Sequence, residues 1–209
     1  MTKYFLIVSL SVLIHACKSQ VSVISQQSTE LDKVEIPSSI CWSEDLVFTL
    51  DFFKGTPTDT ILTLYGTSAG AVSSISIYIL DTQIGDYNIK YEVKSCFYPS
   101  ESWVKKGQEA LLGHEKIHFD IAELFARKMR KSIDSLHNLE VINKSIFNKI
   151  IDDQFDKYDK FDRDFDSDTM HGMAEIPQTA IKKEILMELD SLKKYALDSD
   201  ECSCEELDE

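Results

Sequence analysis

Between Trp103 and about Leu136 the chain runs without a proline through residues that favour helix, with apolar positions at helical spacing. This stretch constrains the fold most. Ala110, Leu111, Leu112, Ile117, Phe119, Ile121 and Leu124 leave it so little polar surface that it must be buried on most sides. Gly107 and Gly113 are its weak points. Upstream the signal is β. Leu46 to Phe53 alternates partly, Ala71 to Leu80 carries Val72, Ile75, Ile77 and Ile79, and Asp86 to Phe97 carries Tyr87, Ile89, Tyr91 and Val93. Gly85-Asp86 between the last two runs predicts an antiparallel pair. Downstream, helical spacing predicts further helices over about Val141 to Phe161 and Gln178 to Ala196, the latter with Ile181, Ile185, Leu189 and Leu192 on one stripe. Strands first and helices after predict an α+β fold: an N-terminal antiparallel sheet followed by three main helices.

The two ends read differently from this middle. Lys3 followed by the apolar run Tyr4 to Ile14 has the form of an export signal, too short to span a membrane. It closes on Leu13-Ile14-His15-Ala16-Cys17, similar to a bacterial lipobox, so residues 1–16 are expected to be a lipoprotein signal peptide and Cys17 the lipid-attachment site. The expected location is the cell envelope, lipid-anchored, with the membrane as one partner. The Ser/Gln-rich stretch 17–39 reads as a tether, 40–197 as one domain, and 198–209 as an acidic tail. Export permits disulfides, and Cys41 with Cys96 is the expected candidate pair, whereas Cys202 and Cys204 in the tail are assigned no role.

The chain has 209 residues and a net charge of −14, which opposes attraction to a polyanion and excludes nucleic acid as a generic partner. The charge is concentrated in the tail and in Asp152 to Asp168. There Asp156, Asp159 and Asp162 are expected on a solvated helix face, with Phe155, Tyr158, Phe161 and Phe165 on another.

Within the long helix lies His114-Glu115-Lys116-Ile117-His118. Residues four apart are offset by only about 40°, so both imidazoles leave one face, one turn apart, where two nitrogens can reach one metal ion. Glu115 leans over the same edge and is placed to take a proton from activated water. Glu123 falls about 180° from His114 on the helix and faces away, where an ion pair with Arg127 accounts for it. Asp120 is also poorly aimed. A third ligand must come from elsewhere. His171, in the expected loop Asp166 to Gly172, is the choice, with Asp166 and Asp168 as alternatives.

From Trp42 to Leu192 the chain resembles a family of bacterial exported proteins, the domain of unknown function 922, regarded as zinc metallopeptidases of the zincin type on the strength of an HExxH motif. The residues that carry the resemblance are Trp42, Asp51-Phe52, Gly55-Thr-Pro57, Ser102-Trp103-Val104, the block Leu111 to Lys128 around L-x-H-E-x-x-H-F-D-I-A-E, the block Phe165-Asp166-x-x-Thr169-x-His171-Gly172, and Gln178. Ala180 departs from it, where the family has an aromatic residue. The resemblance implies a zincin-like arrangement with Zn²⁺ held by His114, His118 and His171, and Glu115 as the catalytic carboxylate. The expected activity is that of a metalloendopeptidase acting on a peptide or protein. The rival expectations are a zinc amidase of the cell envelope and an envelope lipoprotein whose metal is structural. The sequence does not give an oligomeric state.

Overall fold

The computed structural model describes residues 38–57, 69–84, 88–137, 144–197 and 204. Among them the order is β1 (Ile40–Cys41), β2 (Ala71–Val72), β3 (Ile75–Ile84), β4 (Asn88–Phe97), β5 (Trp103–Val104), α1 (Leu112–His137), α2 (Lys144–Asp168) and α3 (Glu175–Ser191). The fold is α+β, with antiparallel strands preceding three helices. One sheet has the order β1-β4-β3, and β2 pairs with β5 in a second, two-stranded sheet. The expected hairpin is present, with Ile75 opposite Phe97 and Ile84 opposite Asn88. Its Gly85-Asp86 connection lies outside the described residues, as do the proposed signal peptide, Cys17, most of the tether and, Cys204 apart, the acidic tail.

Helix α1 is the centre of the molecule. Phe119, Ile121, Ala122, Leu124, Ala126, Met129 and Ile133 are all fully buried, by the sheet on one side and by α2 and α3 on the others. Each large apolar side chain so covered contributes about 1.5–3 kcal/mol. The expected start of this helix at Trp103 is corrected: Trp103–Val104 is a strand, and Gly107, at φ +87°, turns the chain before a 3-10 turn leads into Leu112. Leu46 to Phe53 is likewise not a strand. Its partial alternation belongs to an aromatic plug, with the Phe48 ring 4.5 Å from Phe97 and 5.8 Å from Phe119, and a 3-10 turn over Leu50–Phe52. Helix α2 runs seven residues beyond the expected Phe161, to Asp168.

The polar groups of α1 find partners on every neighbouring element. The Glu123 carboxylate accepts from Arg127 Nε (2.8 Å), from both terminal nitrogens of Arg130 (3.2 Å each) and from Ser95 Oγ on β4 (2.6 Å). The two guanidiniums go on to donate to the Val93, Leu189 and Tyr195 carbonyls. The ion pair expected between Glu123 and Arg127 is therefore one edge of a buried network. Trp42 donates from its indole to Asp120 (2.7 Å) and lies under the Arg127 guanidinium, 4.9 Å from its centroid.

The expected Cys41–Cys96 bond is a correction. Cys96 is joined to Cys204, a separation of 108 residues. Cys41 is itself disulfide-bonded, and its sulfur lies 3.3 Å from that of Cys204. Cys41 and Cys96 face each other across the β1–β4 pair, and directly opposed Cβ atoms are generally spaced more widely than a disulfide accepts. Cys204, which belongs to no strand, is free of that restriction.

Two stability predictions follow from this packing. Glu123→Ala leaves two buried guanidiniums uncompensated and should cost about 3–5 kcal/mol in chemical denaturation, against no comparable loss for an exposed glutamate such as Glu175. Replacing Cys96 and Cys204 together by serine should lower stability by at most roughly 4–5 kcal/mol, the chain-entropy value for so long a loop when no other bond constrains it. An unchanged unfolding midpoint in either variant would contradict the packing described.

Candidate metal centre

Helices α1 and α2 form an antiparallel pair in a register that sets His118 opposite Asp162 and His114 opposite Asp166. Both members of each pair are four residues from their neighbours, so one turn of α1 meets one turn of α2. His114 Nε2 lies 3.0 Å from Asp166 Oδ1, His118 Nε2 lies 3.2 Å from the same oxygen, and the two Nε2 atoms are 3.1 Å apart. All three residues are buried. Phe165 closes one side, stacked on the His114 ring at 4.8 Å and edge-on to His118 at 5.0 Å.

The far nitrogens decide what these near ones carry. His118 Nδ1 donates to Asp162 Oδ1 at 2.6 Å, and His114 Nδ1 donates to Gln178 Oε1, on α3, at 3.1 Å. With the ring protons placed there, both Nε2 atoms turn lone pairs toward each other and toward a carboxylate oxygen. Three acceptors at such distances repel one another unless a proton or a cation lies among them. Where a proton rather than a cation lies among them, burial works against charge on His118, yet Asp162 and Asp166 outweigh it and hold the imidazole protonated well above its ordinary range. In that protonated form burial pushes Asp166 up, but the hydrogen bonds from His114 and His118 outweigh it and hold the carboxyl well below the usual carboxylate range.

The donor set fits a divalent ion. Two ligands at about 2.0–2.1 Å from a tetrahedral centre stand roughly 3.3 Å apart, close to the observed sides of this triangle. Oriented imidazoles and a carboxylate in an apolar wall are the usual surroundings of such a site. Asp166, one of the two alternatives to His171, is thus the third member of the buried cluster. His171 stands beside it, with Nδ1 3.4 Å from Asp166 Oδ1 and more than half of its side chain exposed. Asp168, the other alternative, is exposed at the last position of α2.

The turn after α2 is shaped against this cluster. Met170, His171 and Gly172 have φ of +51°, +53° and +85°, three successive residues in the left-handed region. A Cβ on Gly172 would lie 3.0 Å from His114 Cγ and 2.9 Å from Leu111 Cδ2, so glycine is required there by backbone and by space.

Glu115 is buried too, and Ser73 Oγ donates to its Oε2 at 2.5 Å. Ser73 sits where the chain passes from β2 to β3. This junction is pinned by Ser74, whose N–H donates to Ser102 Oγ (3.1 Å) and whose hydroxyl donates to Glu101 Oε2 (3.2 Å). The β half therefore orients the carboxylate of the helical motif. Sequence reading did not find Ser73, Asp162 or the part played by Gln178. Asp162 was expected on the solvated face, and this is corrected: it is buried against His118. A helix drawn on through Asp168 would have put Asp162 and Asp166 on one face, four residues apart, matching the two histidines.

What fold and site define together is an α+β protein with a buried cluster of two histidines and one carboxylate, able to hold a metal ion beside a buried glutamate. Residues 98–172 match the profile of a family described as bacterial protein of unknown function (DUF922), and that span contains both motif blocks. No curated protein and no solved structure matches the chain.

Removing the Asp162 carboxylate as Asp162→Ala should weaken binding of a divalent ion about 10–100-fold, the usual effect of losing such an orienting partner, as read by calorimetric titration. Undiminished affinity would mean that His118 is not held by Asp162.

Proposed function

We propose that the chain is a member of this family and a zinc-dependent hydrolase, specifically a metalloendopeptidase, with His114, His118 and Asp166 as metal ligands and His171 at the solvent side of the site. The observation that carries this reading is the convergence of three buried ligand atoms, two of them in fixed tautomers, one residue away from a buried glutamate. Zinc at such a site supplies Lewis acidity that makes water nucleophilic near neutral pH and polarises a carbonyl. The remaining work falls to the chain's own groups. Glu115 takes the proton from the attacking water and passes it to the amide nitrogen as the C–N bond breaks. Ser73 fixes one carboxylate oxygen and so sets the direction in which Glu115 presents itself. Gln178 and Asp162 keep both imidazoles in one tautomer. A structural metal would make no use of a glutamate held in this way.

The expected location is outside the cytoplasm, with the chain anchored through lipid at Cys17. The Cys96–Cys204 disulfide supports this placement, since such bonds persist in oxidising compartments.

The test is metal content by elemental analysis together with cleavage of a peptide library. The wild-type protein should carry about one zinc, lose it in Asp166→Ala, and cleave peptides. Glu115→Gln should retain the metal and lose at least about a hundred-fold in rate. Cleavage unaffected by Glu115→Gln would refute the assigned role, and a wild-type protein that binds no divalent ion would refute the site.

A further inference from the structure

The apolar side chains around the metal cluster are distributed unevenly. Within seven residues, Met170, Met173 and Ile176 are 61%, 81% and 86% exposed, whereas the polar groups of the cluster beside them are almost fully covered. Single exposed apolar residues need no explanation, but three in succession at the edge of a buried polar site do.

The segment that presents them is held firmly. His171 N–H donates to the Asp166 carbonyl (2.8 Å), Met173 N–H to the Met170 carbonyl (3.3 Å) and Ala174 N–H to the Thr169 carbonyl (2.8 Å). Thr169, itself buried, caps the turn by donating to the Phe165 carbonyl at 2.7 Å. At one end the backbone is pressed against the His114 ring through Gly172, and at the other it enters α3, which carries Gln178. Met170 accepts a left-handed backbone that unbranched side chains rarely adopt, in a turn whose hydrogen bonds leave it little alternative. The turn thus fixes His171 next to Asp166 and exposes thioether and aliphatic side chains within five residues of it.

We infer that Met170, Met173 and Ile176 form a substrate-binding rim that receives a bulky aliphatic side chain of a peptide next to the bond addressed by Glu115. This rests on the hydrolase reading above and specifies its substrate. The chemistry favours a peptide over a sugar. Carbohydrate rings are ordinarily held by flat aromatic faces and planar polar side chains, and this rim offers flexible thioethers and a branched aliphatic group, which adapt to an irregular apolar side chain. The occupant is fixed by continuity with the site: the same turn that bears the rim packs on His114 and places His171 at Asp166.

The test uses the full mature chain loaded with zinc and two quenched peptides that differ only by leucine or serine at one position. Wild type should cleave the leucine peptide about ten-fold faster in kcat/KM, and Met173→Ser combined with Ile176→Ser should abolish that preference. Binding is read separately in Glu115→Gln from the 13C-labelled methionine methyl signals. The leucine peptide should shift Met170 and Met173 and leave unmoved the buried Met129 and the distant, exposed Met187. Cleavage without discrimination between the peptides would overturn the rim and leave the peptidase intact. Methyl shifts at Met170 and Met173 without cleavage in wild type would overturn the peptidase, and with it the placement of the rim beside a scissile bond, while leaving these residues as a peptide-binding surface. Neither cleavage nor shifts would overturn the rim.

Discussion

A helix buried on every side must find a partner for each polar group it carries, and α1 meets this demand once per turn. His114 and His118 turn to α2 and α3, Glu115 to the β2–β3 junction, Asp120 to Trp42, and Glu123 with its two arginines to β4 and the chain following α3. All of these groups are buried, so each bond also fixes the position of the element at its far end. The candidate metal centre is therefore the N-terminal portion of a polar seam that runs along the helix. The arginine network is its C-terminal portion, and holds the rotation of α1 against the sheet.

This arrangement explains how much could be read in advance. The strand hairpin, the three helices and their order were legible because each rests on local periodicity, and Glu123 was correctly turned away from the histidines because helical geometry alone decides that. The two histidines were found for the same reason. Asp162 and Asp166 were harder. Acidic residues at this density mimic a solvated surface, and their burial depends on which helix faces them, information carried by tertiary register. The same limit applied to Leu46 to Phe53, where aromatic packing against Phe97 and Phe119 imitates strand alternation. The start of α1 was set by a single glycine, Gly107, whose positive φ ends a pattern that composition would have continued. Ser73 carries no sequence signal: a serine beside a strand is ordinary until a glutamate from elsewhere arrives next to it.

The site's chemistry also depends on a division of labour. The helices supply the candidate ligand atoms and their orienting partners, and the β half supplies the hydroxyl bonded to Glu115. Ligand geometry and carboxylate direction are thus set by different parts of the chain, and the two can be altered independently by substitution. The left-handed turn between α2 and α3 joins them at the surface, since it presses on His114 from outside while its side chains face whatever approaches.

The bond between Cys96 and Cys204 has a topological effect as well as a stabilising one. It closes a covalent ring that contains α1, α2, α3 and every candidate ligand. A protease that cuts the backbone once within this ring, for instance between α1 and α2, would linearise it without releasing a fragment. The cut ends would separate only as far as the packing of α1 allowed, and His114, His118, Asp166 and His171 would remain parts of a single covalent molecule. This tolerance of nicking protects the candidate ligand set independently of the depth of its core.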